Sequence, residues 1–402
     1  MESKQIFLFP CLEQNANDET NDNLQHVNEK LHDVLLKYKD LINEYHSTRT
    51  WDKYKKLAND FELVSSSFGN LPYLTHFHSI SRSYYKLWEI FHDIDISFVQ
   101  STKPLTCAFL AEGPGGFIES FVNLRKKYAI LSTPDNIYGM TLLSTNRSVP
   151  SWKLTQPFLQ EHNIKLLSGE DKTGSLYKID NIIFLKDTIG ENACDLVTCD
   201  GGFDFSRDYN IQEEVSSHLI TCEVYATLMI QKIGGTAIIK VFDICNVDTM
   251  SIIHILCTSY QHVYITKPHT SRPANSEKYI VCQQFLGCNN DIMSMLQNHI
   301  QKKLPLNSAS MPSSVTRLSD LLPAIVNMNK YFISKQIHSI VKAITMIEES
   351  DKVDIYSTKC HKDSLHRQIE FAIRWCHKYN VGMNINVLHQ YLSLVKIPSD
   401  IL

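Results

Sequence analysis

Three acids stand at the ends of apolar runs, a lysine interrupts another, and a glycine-rich turn stands beside the first acid. In CAFLAEGPGGFIESF, residues 107–121, a strand-like run ends at Ala111–Glu112, and Gly113-Pro114-Gly115-Gly116 leads into a helix from Phe117. Glycines let a backbone approach a ligand closely, and a helix N-terminus offers unpaired N–H groups. The turn therefore suits a nucleoside cofactor as well as it suits an ordinary tight turn. It departs from the dinucleotide pattern G-x-G-x-x-G, and the next strand, IYGMTL, lacks the terminal acid that holds an NAD ribose.

In DLVTCDGGFDFS, a strand delivers Asp200 to its carboxyl end, where ligands sit in open α/β sheets. The same acid could simply cap the turn that follows. In GGTAIIKVFD, Lys240 interrupts an apolar run, a costly burial unless the amine is paired or used. Desolvation disfavours its charged form, so the amine is expected to be partly neutral and able to accept a proton. The bland alternative is a lysine snorkelling from a strand end. In TKPHTSRPANSEKYIVC, a basic loop brings Lys267, Arg272, Glu277 and Lys278 to the start of an apolar strand. Such a loop is either solvated or reaches the crevice.

Positioning these residues requires a parallel sheet between helices. Candidate strands are Thr106–Ala111, Asn136–Thr141, Ile182–Leu185, Asp195–Cys199, Gly235–Phe242, Val263–Thr266 and Lys278–Gln283, and Gln5–Phe9 is a short strand-like stretch upstream. Helices fill Phe117–Lys127, Asn210–Lys232 and Thr249–Thr258 between them. Upstream, apolar residues from Val27 to Ile42 recur at three- and four-residue steps, and a second helix runs through SRSYYKLWEIF. Residues 13–23 are polar and read as a flexible link. Downstream, Leu304–Leu318 is punctuated by Pro and Ser, and Ala324–Ile347 and Lys362–Tyr379 are helical. The expected organisation is a mainly helical segment over 1–70, a catalytic domain over 71–300 and a helical accessory region over 301–402.

With 402 residues and a net charge of −4, the chain can bury a large core, and any affinity for a polyanion must come from a local basic surface. Eleven scattered cysteines without a C-x-x-C pair read as reduced intracellular thiols. Cys360-His361 and Cys376-His377 match no zinc spacing. The N-terminus lacks the features of a secretion signal, and no apolar run approaches the ~20 residues needed to cross a bilayer. A soluble protein without membrane association is expected.

Taken in order, SRSYYKLWEI, AEGPGGF, YGMTL, GEDKTGS, DGGFDFS, IIKVFD and SRPANSEKYIVC resemble the FtsJ-like RNA 2′-O-methyltransferases, and among them the Adrift-type branch related to the cap methyltransferases. The resemblance runs from about Leu71 to about Leu286. It implies an α/β Rossmann-like methyltransferase fold with a mostly parallel seven-stranded sheet and helical extensions at both ends. It also implies S-adenosyl-L-methionine as cofactor and a Lys-Asp-Lys-Glu tetrad at Lys86, Asp200, Lys240 and Glu277. Read without it, Lys86 is an ordinary lysine on an amphipathic helix.

A ribose hydroxyl must lose its proton as it attacks a sulfonium methyl, so a base is required. The resemblance assigns Lys240 as that base, oriented by Asp200, with Lys86 stabilising the developing oxyanion and Glu277 fixing Lys86. No metal is needed. Glu112, Gly113, Pro114, Gly115, Gly116 and Phe117 are expected under the cofactor. Asp187, or alternatively Asp171, is expected near the adenine, and both could equally be loop acids facing water. RNA, in the form of 5′-capped mRNA, is expected across Arg82, Lys267, Arg272 and Lys278, joined by Arg125-Lys126-Lys127 unless that run is only a helix's cationic end. Other capping or transcription proteins are candidate partners, and a cytoplasmic setting, including a virus that caps its own transcripts, is expected before a nuclear one. The alternatives are a ribosomal or transfer RNA methyltransferase and a catalytically silent RNA-binding or polymerase-accessory module.

Overall fold

The structure, a computed structural model, describes residues 6–9, 18–46, 50–94, 97–146, 148–203, 208–303, 306, 320–350 and 359–395. Eight strands form one sheet: β1 (Phe7–Leu8), β2 (Thr106–Leu110), β3 (Asn136–Met140), β4 (Ile164–Leu167), β5 (Cys194–Cys199), β6 (Gln231–Val241), β7 (Tyr260–Thr266) and β8 (Lys278–Phe285). Their order is β1-β7-β8-β6-β5-β2-β3-β4. The run from β4 to β6 is parallel, and β8 lies antiparallel to both β6 and β7. This is the expected Rossmann-like methyltransferase architecture, with one strand more than the seven foreseen.

The helices are α1 (Asp18–His46), α2 (Thr50–Leu57), α3 (Glu62–Ser65), α4 (Ser83–Asp93), α5 (Gly116–Tyr128), α6 (Gln156–Glu161), α7 (Ile179–Ile189), α8 (Gln212–Ile230), α9 (Val247–Ser259), α10 (Asn290–Lys302), α11 (Leu322–Ser350), α12 (Lys359–Lys378) and α13 (Ile385–Leu394). Among the described residues, no helix is long and apolar enough to cross a membrane.

Central strands buried on both faces read as unbroken apolar runs. Cys107, Ala108, Phe109 and Leu110 of β2 are all fully buried, as are Ala237, Ile238 and Ile239 of β6. One core lies between the sheet and α4, α5, α2 and α12. A second lies on the other face, under α7, α8, α9 and α10. Helices α1 and α11 run across both cores, and α12 and α13 cover the first. Lys39 of α1 pairs with Asp243 at 2.5 Å in a fully buried contact, and Trp88 Nε1 of α4 donates to the Tyr379 carbonyl at 2.9 Å.

Two sequence expectations change. Ile182–Leu185 is the middle of α7, whose buried residues Asn181, Ile182 and Leu185 recur at helical spacing while Ile183 faces solvent. A four-residue apolar run does not distinguish strand from helix. The strand that occupies that place in the sheet is β4. Residues 18–23 of the foreseen flexible link begin α1, and 13–17 lie outside the described residues, as does the foreseen linker over 304–318 except Leu306.

Candidate active site

The chain leaves β2 toward β3 on one side and returns to β5 on the other, so a crevice opens beyond the carboxyl ends of β2 and β5. The glycine turn and Asp200 both stand there. Gly115 has φ +115°, a conformation that side chains resist, and an added Cβ at Gly113 would lie 2.4 Å from the Pro150 carbonyl oxygen. Glu112 is buried and its Oε1 accepts the Phe117 backbone N–H at 2.6 Å, tying the turn to the start of α5. Its other oxygen, Oε2, is buried with no partner, and burial together with the nearby Asp200 charge holds this carboxyl well above the ordinary range.

Such a cradle fits an amino-acid-bearing nucleoside. The unpartnered Oε2 asks for an ammonium group, and the tight glycines leave room for a ligand against the backbone. Exposed apolar side chains at the same sheet edge, Leu142, Leu143 and Phe203, offer cover for a flat base.

The residues foreseen for catalysis converge from four places in the chain. Lys240, from β6, donates to the Asp200 carbonyl at 2.6 Å and lies 3.2 Å from Asp200 Oδ1. Lys86, from α4, lies 2.8 Å from Glu277 Oε2 and 2.7 Å from Oε1. Two ion pairs therefore sit together. Burial would raise Glu277, but Lys86 and Lys240 outweigh it and bring its pKa down to about 2. The expectation of a partly neutral Lys240 is overturned: burial lowers its pKa, yet Asp200 and Glu277 more than reverse this, and the resting amine is held as ammonium.

Sequence reading missed the supports of this group. Tyr279 pairs with Lys240 across β6 and β8, and its hydroxyl donates to Asp200 Oδ1 at 2.8 Å. Glu223 of α8 accepts the Gly201 N–H at 3.2 Å, and its pKa is pushed up to about 8 by burial. Glu89 of α4 accepts the backbone N–H groups of His269 and Thr270, each at 2.7 Å. Only the strand position of Tyr279, one step past Glu277 on the same face, carried a signal.

Other foreseen site residues stand elsewhere or are already engaged. Asp187 is exposed near the carboxyl end of α7, which leads back to the amino-terminal edge of the sheet, away from the crevice. Asp171, in the loop after β4, is on the crevice edge, where Asn181 and Thr173 fix it at 2.9 and 2.7 Å. Lys278 is buried, donating to the carbonyls of Phe242 and Ser276 at 2.8 and 2.7 Å, and is no phosphate contact. Arg272 clamps the fully buried Glu62 through two bonds of 3.0 and 2.6 Å. Arg82 donates to the Thr270 carbonyl at 2.8 Å, and Lys267 to the Glu277 carbonyl at 2.7 Å. Arg125 stands with Lys126 and Lys127 in the last turn of α5, the cationic helix end foreseen as the alternative, and is itself buried on Asp135, with bonds of 2.8 and 2.9 Å. Buried acids have recruited the basic residues inward. Of the Cys-His pairs, Cys376 is a buried core thiol, and the Cys360 side chain lies outside the described residues.

A cavity of about 350 Å³ lies against the loop after β7, whose Lys267 reaches the Glu277 carbonyl, and its wall draws on residues 58–61, 267–273 and 331–371. Its lining includes Phe61, Lys267, His269, Tyr331, Lys335, Lys342 and Arg367, with Asp60 as the acid. Phe61 and His269 stack with ring centroids 4.5 Å apart.

A mostly parallel sheet with a glycine turn and an acid at its switch point defines a Rossmann-like methyltransferase. The FtsJ-like methyltransferase family profile matches residues 79–285, just over half of the chain. A cap-specific mRNA (nucleoside-2′-O-)-methyltransferase of Autographa californica nuclear polyhedrosis virus is 30% identical over 240 residues, covering 59% of this chain and 85% of that protein. A cap-specific mRNA (nucleoside-2′-O-)-methyltransferase 1 of Xenopus laevis is 28% identical over 269 residues, and the match covers 62% of this chain and 30% of the frog protein. A solved ribosomal RNA methyltransferase from Plasmodium falciparum aligns at 21% identity with a TM-score of 0.36, covering 52% of this chain and 98% of that one. The chain belongs to the FtsJ-like methyltransferase family. It is an enzyme, and S-adenosylmethionine is its methyl donor.

Proposed function

We propose that the protein methylates a ribose 2′-hydroxyl of RNA at a nucleotide next to the 5′ cap of mRNA. The observation that carries this reading is the pair of ion pairs, Lys240–Asp200 and Lys86–Glu277, beside the glycine turn. The names of the viral and frog relatives favour the cap as substrate.

Glu112 and the backbone from Gly113 to Phe117 hold the donor, with Leu142, Leu143 and Asp171 toward its base. When bound, S-adenosylmethionine supplies an electrophilic methyl group on a positively charged sulfur. Lys240 is driven toward its neutral form by any further positive charge in the crevice, since like charges disfavour one another. The neutral amine takes the hydroxyl proton, and Asp200, held from the other side by Tyr279, keeps it aimed. Lys86 stabilises the charge growing on the ribose oxygen, and Glu277 holds Lys86.

RNA flanking the target nucleotide enters the cavity bounded by Phe61, Lys335, Lys342 and Arg367. Rings there stack on an unpaired base, and the cations meet phosphates in a salt-sensitive contact.

The test is methyl transfer to matched capped, uncapped and structured RNAs, followed by nuclease digestion and identification of the modified nucleoside. A 2′-O-methylated nucleoside next to the cap is expected. Equal activity on uncapped RNA defeats the cap assignment, and a base-methylated product defeats the ribose assignment.

A further inference from the structure

Where α1 crosses the far end of β6, three side chains with metal-binding atoms face one another outside the site described above. They are His32 on α1, Glu213 at the start of α8 and Cys245 just past β6, and their ligand atoms all lie within 4.8 Å of one another. Glu213 is buried, and its Oε1 accepts the backbone N–H groups of Cys245 and Asn246, both at 2.8 Å. Its Oε2 makes no hydrogen bond of ordinary geometry, although the Thr249 hydroxyl stands close to this carboxylate. His32 Nε2 is likewise buried and without a partner. The imidazole nitrogen and the carboxylate oxygen do not bond each other, and the Cys245 sulfur within the same 4.8 Å takes only a long contact from Asn329 Nδ2 at 3.8 Å.

Leaving two buried polar groups without full hydrogen bonds is costly, so a ligand that satisfies both is favoured. A water would satisfy the nitrogen and the oxygen, but gains little from a thiol. A borderline metal ion uses all three, because imidazole, carboxylate and thiolate are the donors zinc takes. Tetrahedral ligation needs donor atoms about 3.5 Å apart, so side-chain rotation suffices to close the present spacing.

We propose that His32 Nε2, Glu213 Oε2 and Cys245 Sγ bind a zinc ion, with water as the fourth ligand. Binding replaces the thiol proton by a zinc–sulfur bond and releases the proton to solvent. The site joins the amino-terminal helix to the catalytic body. The same corner already carries the Lys39–Asp243 pair, and Asp243 accepts from Ser276 Oγ at 3.1 Å, next to Glu277. The ion therefore fixes α1 against the strand end that presents a residue of the tetrad.

The experiment uses the full chain, stripped of metal and titrated with Zn²⁺ and, in parallel, with Co²⁺. One tightly bound Zn²⁺ per chain is expected, and the Co²⁺ form should show a near-ultraviolet thiolate charge-transfer band with tetrahedral visible bands. His32→Gln and Cys245→Ser should each weaken Zn²⁺ at least ~100-fold, and Cys245→Ser should abolish the charge-transfer band. Cys288→Ser, at a thiol remote from the cluster, should change neither. The proposal is overturned if the wild-type chain binds no stoichiometric metal, or if binding persists in both ligand variants. Should a variant fail to fold, the wild-type Co²⁺ spectrum decides alone, and absence of a thiolate band refutes the site.

Discussion

Glu89 and Thr270 are bound twice, the carboxylate oxygen Oε1 accepting both the backbone N–H at 2.7 Å and the side-chain hydroxyl at 2.6 Å. Glu89 lies one residue short of a full helical turn beyond Lys86, and Thr270 lies in the loop that leads to Glu277. The two halves of the Lys86–Glu277 pair are thus fastened to each other by a contact that touches no substrate. Glu89→Gln should lower kcat at least ~10-fold and cost about 1–3 kcal/mol of stability, while donor affinity stays within about two-fold. Unchanged kcat in a folded variant would show that the fastening is irrelevant to turnover.

Lys240→Ala should reduce methyl transfer by about 10²–10⁴-fold, the range of a lost proton acceptor, with donor binding retained. Tyr279→Phe removes only the second hold on Asp200 and should cost less, roughly ten-fold. Single-turnover assays with saturating RNA measure both. A Lys240→Ala enzyme of wild-type rate would remove Lys240 from the proton transfer.

At Gly116, an added Cβ would stand 2.2 Å from Ser81 Oγ and 3.1 Å from the Tyr84 backbone nitrogen. Gly116→Ala must therefore push α4 away from α5, disturbing the cofactor turn and the helix carrying Lys86 at once. We expect at least ~10-fold weaker S-adenosylmethionine binding by calorimetry, and a lower melting temperature. Binding and melting equal to wild type would mean that the two helix starts are not in the contact described.

Acid should unfold the protein through particular carboxylates. Burial would raise Glu62, but its bond to Arg272 and the charges of Arg82 and Arg272 bring its pKa down to about 2, and Glu277 is depressed to about 2 by Lys86 and Lys240. Depressed carboxyls contribute stability that is complete above their unfolded pKa near 4.5 and lost as pH falls toward 2. The urea midpoint should drop as pH falls from about 4.5 toward 2, and Glu62→Gln should remove part of that slope. A midpoint independent of pH between 5 and 2.5 would contradict these pairs.

Phe61→Ala and Lys342→Ala face the cavity and not the ion pairs. Each should raise the KM for capped RNA several-fold and leave the kcat intact, and Lys342→Ala should also flatten the salt dependence. Loss of kcat without change in KM would remove the cavity from the RNA path.

What could be read from the residues was whatever a strand end announces. Asp200 and Lys240 stand at or near the ends of apolar runs, and the glycine turn follows β2 directly, so period and punctuation were enough. Lys86 was visible only through resemblance, since nothing in a helical lysine reveals a partner 191 residues away. The basic loop misled because charge in a sequence carries no address. Arg272 and Lys278 look like phosphate contacts until Glu62 and the Phe242 carbonyl are seen to hold them. The exchange of β4 for part of α7 has the same root, as Ile-Ile-Phe-Leu fits either period and only the surrounding sheet decides.

The reversed strand β8 has a bearing on how this protein could be recombined with its kin. Side chains alternate along a strand, so a slip of β8 by one position against β6 would turn Tyr279 from Asp200 and carry Glu277 out of reach of Lys86. Junctions for chimeras belong before α4 or after β8, because a segment cut between them would inherit half of a lock and none of its key.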